Sequence, residues 1–298
     1  MLRRARRRSL EVGPRRFIAM LPFPNAHRFV VFFLLLTFAA FLPRYFAVLS
    51  TAPWLHHLHG ITATAWIVLV ATQGWTAHRR KWNAHVWSGM ASMALVPLFT
   101  LGGLLVTQRT LQSERLFREL FGQALSVADI ALSVAFVALY TMALRHRRTP
   151  DLHARYMLAT LIVLSGPAVS RFFANYVPGF LVRSAETLPK FGAAINASFI
   201  IATALCLFLI FKDRVNGKPI APFICALVAT VAMIVGYYTV GRSDWYAGVA
   251  NWIADLPMWQ VAAFALSTST AAVAWGWRYP SKPVVRQVVT DSLRGITT

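Results

Sequence analysis

The chain has 298 residues, of which 57% are hydrophobic and only 13% charged, where an ordinary soluble domain carries about a quarter charged residues. Apolar surface on this scale, with a mean hydropathy of +0.54, exceeds what one aqueous core hides, so a polytopic membrane protein is expected and a soluble domain is excluded. The formal charge of +20 does not point to nucleic acid, because the 30 Lys and Arg residues stand in short clusters between long apolar segments, the pattern of membrane topology.

In chain order, "MLRRARRRSLEVGPRRFIAM" opens a basic segment, residues 1–27, read as a cytoplasmic tail beside anionic lipid. Its "RRF" has only a loose likeness to a twin-arginine signal. Pro22 and Pro24 interrupt the short apolar stretch that follows, and no cleavage site of small residues is evident. Eight segments then have the roughly 20 apolar residues a crossing helix needs: 28–47, 58–77, 85–107, 121–144, 153–175, 192–211, 220–240 and 258–277. The expected fold is an all-α bundle of about eight transmembrane helices, one domain over 28–277 with its core at 58–175, followed by a polar tail, 278–298.

The charges agree with that count. Eight Arg precede or include Arg28, and further clusters stand at 79–81, 145–155, 212–218 and after Trp277. They fall on alternate connections, so both termini are expected in the cytoplasm of a bacterial cell, with the bundle in its inner membrane. The opposite loops, "NYVPGFLVRSAETLPKFG" and "GRSDWYAGVANWIADLP", suit an interfacial aromatic belt of Trp245, Tyr246 and Trp252 on a short surface helix. Cys206 and Cys225 fall inside apolar segments and are read as buried thiols without a disulfide framework.

Polar groups inside these segments are the candidates for chemistry, since each is costly in hydrocarbon. "RRKWNAHVWSGMA" and "RRTPDLHARYMLA" share a spacing: His85 and His153 each follow an Arg by six residues and each start a helix at the cytoplasmic side. Two imidazoles at matched depth suit a haem iron or another metal; equally, each suits a helix start among the headgroups. In "WLHHLHGITATAW", His56 and His59 share a helical face at the outer entry of the second helix, His57 points elsewhere, and Gly60 admits a close neighbour. Asp129 lies about 12 Å inside the fourth helix at 1.5 Å per residue and is expected to meet Arg171, the basic residue ending the fifth helix. Gln73 stands about 21 Å along the axis from His59 and is expected to bond a neighbouring helix, as is Asn196. Trp66 is the one tryptophan of its region expected away from the membrane edge. The phosphate-binding loop GxxxxGK[ST] and HExxH are absent, and no nucleophilic triad is recognisable, so no enzyme class is indicated.

The succession "FLPRYF", "HLHGITATAWIVLVATQ", "HVWSG" and "LHARYMLATLIVLSGPAVSR" resembles a family of uncharacterised bacterial multipass inner-membrane proteins with H-G…T-A-W…Q, H-x-x-x-G and H-x-R-x-M-L elements. The resemblance covers residues 40–175 and implies marked roles for His59, Gly60, Trp66, Gln73, His85, Gly89, His153, Arg155, Met157, Pro167 and Arg171. Val86 stands where that family has Arg, and Lys218-Pro219 where it often has His-Pro. More distantly the arrangement is similar to proteins that assemble haem-copper oxidases and to b-type membrane cytochromes.

Three functions follow as expectations. A redox protein would hold haem b or a metal ion at His85 and His153, with His59 a further cofactor-side residue, and would pass electrons or support assembly of a respiratory complex. A transporter would line an outer-facing cavity for a small solute or proton with Asp129, Arg171, His59 and Asn196. A structural or accessory subunit would use the same polar groups, Gln73 among them, only to hold helices together. The partners expected are membrane lipid and, in the first and third cases, subunits of a respiratory or other membrane complex.

Overall fold

The computed structural model describes residues 22–281, and the tails read as cytoplasmic lie, for residues 1–21 and 282–298, outside the described residues. All regular structure among the described residues is helical. Five helical stretches are long and apolar enough to cross a membrane: Trp82–Leu111, Arg115–Arg145, Pro150–Tyr176, Lys190–Val215 and Ala221–Arg242. Helix α1 (Ala26–Phe41) is apolar but shorter, with 16 residues. Helices α2 (Trp54–His78) and α10 (Met258–Arg278) have the length but a more polar composition, with His56, His57, His59 and His78 in the first and a Ser-Thr-Ser-Thr run at 267–270 in the second.

The differences from the expected boundaries have local causes. The first helix stops at Phe41 and not near 47, because Pro43 has no N–H to give the Ala39 carbonyl and its ring crowds that carbonyl; a short 3-10 turn, Phe46–Thr51, follows. Helix α3 is Trp82–Leu111. Helix α4 (Gln123–Arg145) is entered through one helical turn at Arg115–Phe117 and a wider π-type turn, Arg118–Gly122. The fifth segment, expected as one helix, is two: α5 (Pro150–Val163) and α6 (Ser165–Tyr176), joined at Leu164. Pro167 supplies the reason. It has no N–H to give the Val163 carbonyl, and its ring crowds that carbonyl. Helices α7 (Lys190–Val215), α8 (Ala221–Tyr238) and α9 (Asp244–Asp255) complete the set.

Helix α4 is central and packs on α3, α5, α8 and α10. It is also one member of a closed ring in which α1 touches α2, α2 touches α3, α3 touches α4, α4 touches α8, α8 touches α7, α7 touches α6 and α6 returns to α1. The break at Leu164 is what permits this closure. Helix α5 stays against α4 and α8, whereas α6 leans to α1 and α7.

The bundle has two unlike ends. At the basic end, Arg145 lies over Trp275 and Arg147 over Trp277, each 4.3 Å from the ring centre, and Ser281 bonds the Arg145 carbonyl. At the far end, α9 lies against α3 and α4, and Gln108 Nε2 donates to the carbonyls of Ile253 and Leu256 at 3.0 and 2.8 Å. Ser243 starts α9 by accepting the Tyr246 N–H at 3.3 Å, with Asp244 in the first turn favoured by the helix dipole. Trp245 and Trp252 are exposed on this helix, but Tyr246 does not join the belt. It is buried, its hydroxyl 2.8 Å from Ser126 Oγ, because an amphipathic surface helix turns one side to the bundle. Cys206 is buried as expected. Cys225 is exposed on the outside of α8, and both thiols are free.

Candidate functional site

Seven of the ring helices enclose a cavity of about 640 Å³ in the half of the bundle away from the basic end. Its walls are largely apolar, with Phe and Ala the commonest apolar residues, and carry scattered Thr and Ser hydroxyls; the charged and imidazole groups among them are His56 and His59 from α2, Asp129 from α4, beside Ser133, Arg171 from α6, and Arg44 from the turn after α1. An apolar cavity of roughly 300–1,000 Å³ with few polar groups is the usual form of a small-molecule site. The break in the α5–α6 span lies on its wall, where Leu164, Gly166 and Pro167 are exposed to it.

Each polar group has its own support. A Cβ at Gly102 would stand 3.0 Å from the His59 Cα, so the missing side chain lets α3 press directly on α2. His59 stacks on Phe99 with ring centres 5.4 Å apart, and its Nδ1 is buried without a hydrogen-bond partner, as is His56 Nδ1. Gly60 admits the Tyr45 ring, and Tyr45 Oη lies 3.1 Å from His57 Nδ1, so His57 holds the mouth of the cavity and not its interior.

The expected Asp129–Arg171 contact is not made. Asp129 has no ion pair and no side-chain hydrogen bond among the described residues. The Arg171 Nη1 instead donates to the Pro167 carbonyl at 3.1 Å, one turn back in its own helix, and its guanidinium lies 5.1 Å from the Phe41 ring centre on α1. Asn196, expected in the cavity, does not line it; it accepts from the Tyr238 hydroxyl where α7 meets α8.

The floor of the cavity is aromatic. Phe99 meets Phe136 edge-on at 4.7 Å, and Phe136 meets Trp66 at 5.0 Å. Trp66 is fully buried, as its sequence setting suggested, and its Nε1–H donates to Thr160 Oγ1 of α5 at 3.2 Å. Nearer the basic end, Arg155 of α5 is buried and donates through Nε and Nη2 to both carboxylate oxygens of Asp213 on α7, at 2.6 and 3.0 Å, and through Nη1 to Asp151 at 2.9 Å. Asp213 was missed in the sequence. The only signal was an acid within the basic stretch "FKDRVNGK", where a lone carboxylate reads as an ordinary surface charge.

His85 and His153 do come together at the basic end, their ring centres 6.3 Å apart. His153 Nδ1 lies 2.9 Å from the Ala143 carbonyl and His85 Nδ1 3.3 Å from the Gln73 carbonyl. A carbonyl only accepts, so each Nδ1 carries the proton and each Nε2 keeps its lone pair. Gln73 belongs here and not with Asp129 and Arg171: its Nε2 donates to the His85 carbonyl at 2.8 Å and to Ser88 Oγ at 2.6 Å, the interhelical role expected of it. His59 is not brought to this pair, since it lines the cavity and neither His85 nor His153 does. A second pair went unnoticed, His27 and His78, 5.4 Å apart at the same end, although both show the matched depth that singled out the first. Among the described residues no group of three or more His, Cys, Asp or Glu is placed to hold a metal ion. No family model, curated protein or solved structure matches the chain.

Proposed function

We propose that the chain is a solute carrier of the bacterial inner membrane, crossing it eight times with both termini in the cytoplasm, and that the cavity is its binding site. The observation that carries this is the placing of Asp129 and Arg171, unpaired with each other, in one cavity at a broken helix. Discontinuous helices beside a cavity are the usual construction of carrier sites, and ionisable groups at membrane depth mark substrate or ion pathways. The topology is supported by the gathering of Lys and Arg at one end, which the positive-inside rule assigns to the cytoplasm, so that the cavity faces outward. At 1.5 Å per residue the 25 residues of α2 and the 21 of α10 span about 38 and 32 Å, enough for a hydrocarbon core of about 30 Å. The aromatic floor and the Arg155–Asp213 pair close the site on the cytoplasmic side.

The test is uptake into proteoliposomes of three radiolabelled probes, an amino acid, a monocarboxylate and a primary amine. Uptake of at least one, abolished in Asp129→Asn, is expected. No uptake of any probe, or uptake undiminished in that variant, contradicts the assignment.

A second reading, binding of a metal ion or haem b for electron transfer, rests on the His85–His153 geometry. Two imidazoles on opposite sides of one ion have ring centres about 6.2–6.4 Å apart, from metal–nitrogen bonds of about 2.0–2.1 Å and a nitrogen-to-centre distance of about 1.1 Å. The 6.3 Å between the His85 and His153 ring centres matches that distance. A porphyrin is less favoured, because the cavity does not extend to the pair. A visible spectrum and metal analysis of protein purified from haem-replete cells separate the outcomes. A bound chromophore or metal lost in both His85→Ala and His153→Ala supports this reading, and a colourless, metal-free preparation retires it.

A further inference from the structure

We infer that the ligand of the cavity is an apolar zwitterion of the α-amino-acid type, its ammonium on Asp129, its carboxylate on Arg171 and Arg44, and its side chain on the aromatic floor. This rests on the cavity being a solute site.

The charges of the cavity are complementary but not in direct contact. Asp129 brings a carboxylate that makes no side-chain hydrogen bond and no ion pair within 4 Å among the described residues, although the Arg171 charge is near enough to act on it. Arg171 has five N–H donors and commits one of them, to the Pro167 carbonyl; Arg44 commits one, to the Val182 carbonyl at 3.3 Å. A charge held in a low-dielectric wall without a hydrogen-bonded counter-charge is expensive, and here an anion and two cations share one wall and act on one another only at a distance. A ligand carrying both signs satisfies all three at once and brings no net charge into the membrane. A simple carboxylic acid leaves Asp129 facing an anion, and a simple amine leaves the guanidinium groups facing a cation.

The rest of the cavity fixes the class further. Ammonium and carboxylate on one carbon are close together, which suits groups that share one cavity yet do not form an ion pair across it. Phe99, Phe136 and Leu132 offer a surface for an apolar substituent, and 640 Å³ holds an aromatic side chain. His56 and His59, with unpartnered Nδ1 atoms, supply further donors or acceptors at the same wall.

The experiment is equilibrium binding of tritiated L-phenylalanine to the detergent-purified full chain, competed by 2-phenylethylamine, which lacks the carboxylate, and by 3-phenylpropionate, which lacks the ammonium. Phenylalanine is expected to bind at least ten-fold tighter than either competitor. Asp129→Asn is expected to remove its advantage over 3-phenylpropionate and Arg171→Gln its advantage over 2-phenylethylamine. Competition by one analogue as tight as phenylalanine itself overturns the zwitterion assignment and leaves the solute site standing. No binding of any of the three overturns the assignment, and the site itself falls only if proteoliposome uptake is also absent. The competition series on the unaltered protein decides the question even if a variant fails to fold.

Discussion

Arg155 on α5 and Asp213 on α7 form a two-pronged ion pair, with bonds of 2.6 and 3.0 Å, and both side chains are almost wholly buried at 3% and 4% exposure. The pair joins the inner half of the broken span to a helix that α6, its outer half, also touches. Removing one partner leaves a buried charge uncompensated, which costs about 3–5 kcal/mol. Asp213→Asn is therefore expected to lower the unfolding midpoint of the purified protein sharply. Arg155→Lys is not expected to restore it, because one ammonium cannot reproduce the planar fork. As a control, Arg115→Ala, which breaks the exposed Arg115–Glu119 pair, is expected to leave the midpoint unchanged.

Close helix contact at the site makes a second prediction. In Gly102→Ala the new Cβ meets the His59 backbone at 3.0 Å, so α2 and α3 must separate. Overpacking of this kind costs about 1–3 kcal/mol, and here it also displaces His59 from the cavity wall. Lower thermal stability and reduced solute uptake are expected together. Gly248→Ala in α9 meets no atom within 4 Å, and is expected to raise stability by about 0.5–1 kcal/mol through helix propensity alone.

A pH dependence follows from the turn between α4 and α5. His146 stacks on Tyr156 at 5.5 Å and its Nδ1 lies 2.8 Å from Ser281 Oγ. Burial, aided by the Arg145 charge, holds it below the ordinary histidine value of 6.5, so the folded protein favours the neutral ring. The unfolded chain then binds the proton first, and this stabilisation, full above 6.5, is lost as pH falls through that value and through the lower folded one. Thermal midpoints measured at about pH 7.5 and pH 5.5 should differ less in His146→Asn than in the parent protein.

The helical class and the membrane character were legible in composition and charge placement, since both depend on averages over many residues. So was the meeting of His85 with His153, because two helices entering from one side put equal offsets at equal depth. What the sequence did not disclose depends on direction across the bundle. The depths of Asp129 and Arg171 agree, yet Arg171 turns to Phe41 and Pro167, and only the packing of α6 on α1 reveals it. The cavity depends on the break at Leu164, where "SGP" signalled a kink but not which way the outer half would lean. Gln73 shows the same limit: its interhelical role was evident, its grouping with His85 was not.

The most direct measurement on the central claim is the accessibility of Ser133, which lines the cavity beside Asp129. With Cys206→Ser and Cys225→Ser removing the native thiols, Ser133→Cys is exposed to a membrane-impermeant maleimide in spheroplasts and in inside-out vesicles. The account predicts rapid modification in spheroplasts and little in inside-out vesicles. Modification only from the inside-out side, or none from either side while the denatured protein reacts fully, would contradict an outward-facing binding cavity.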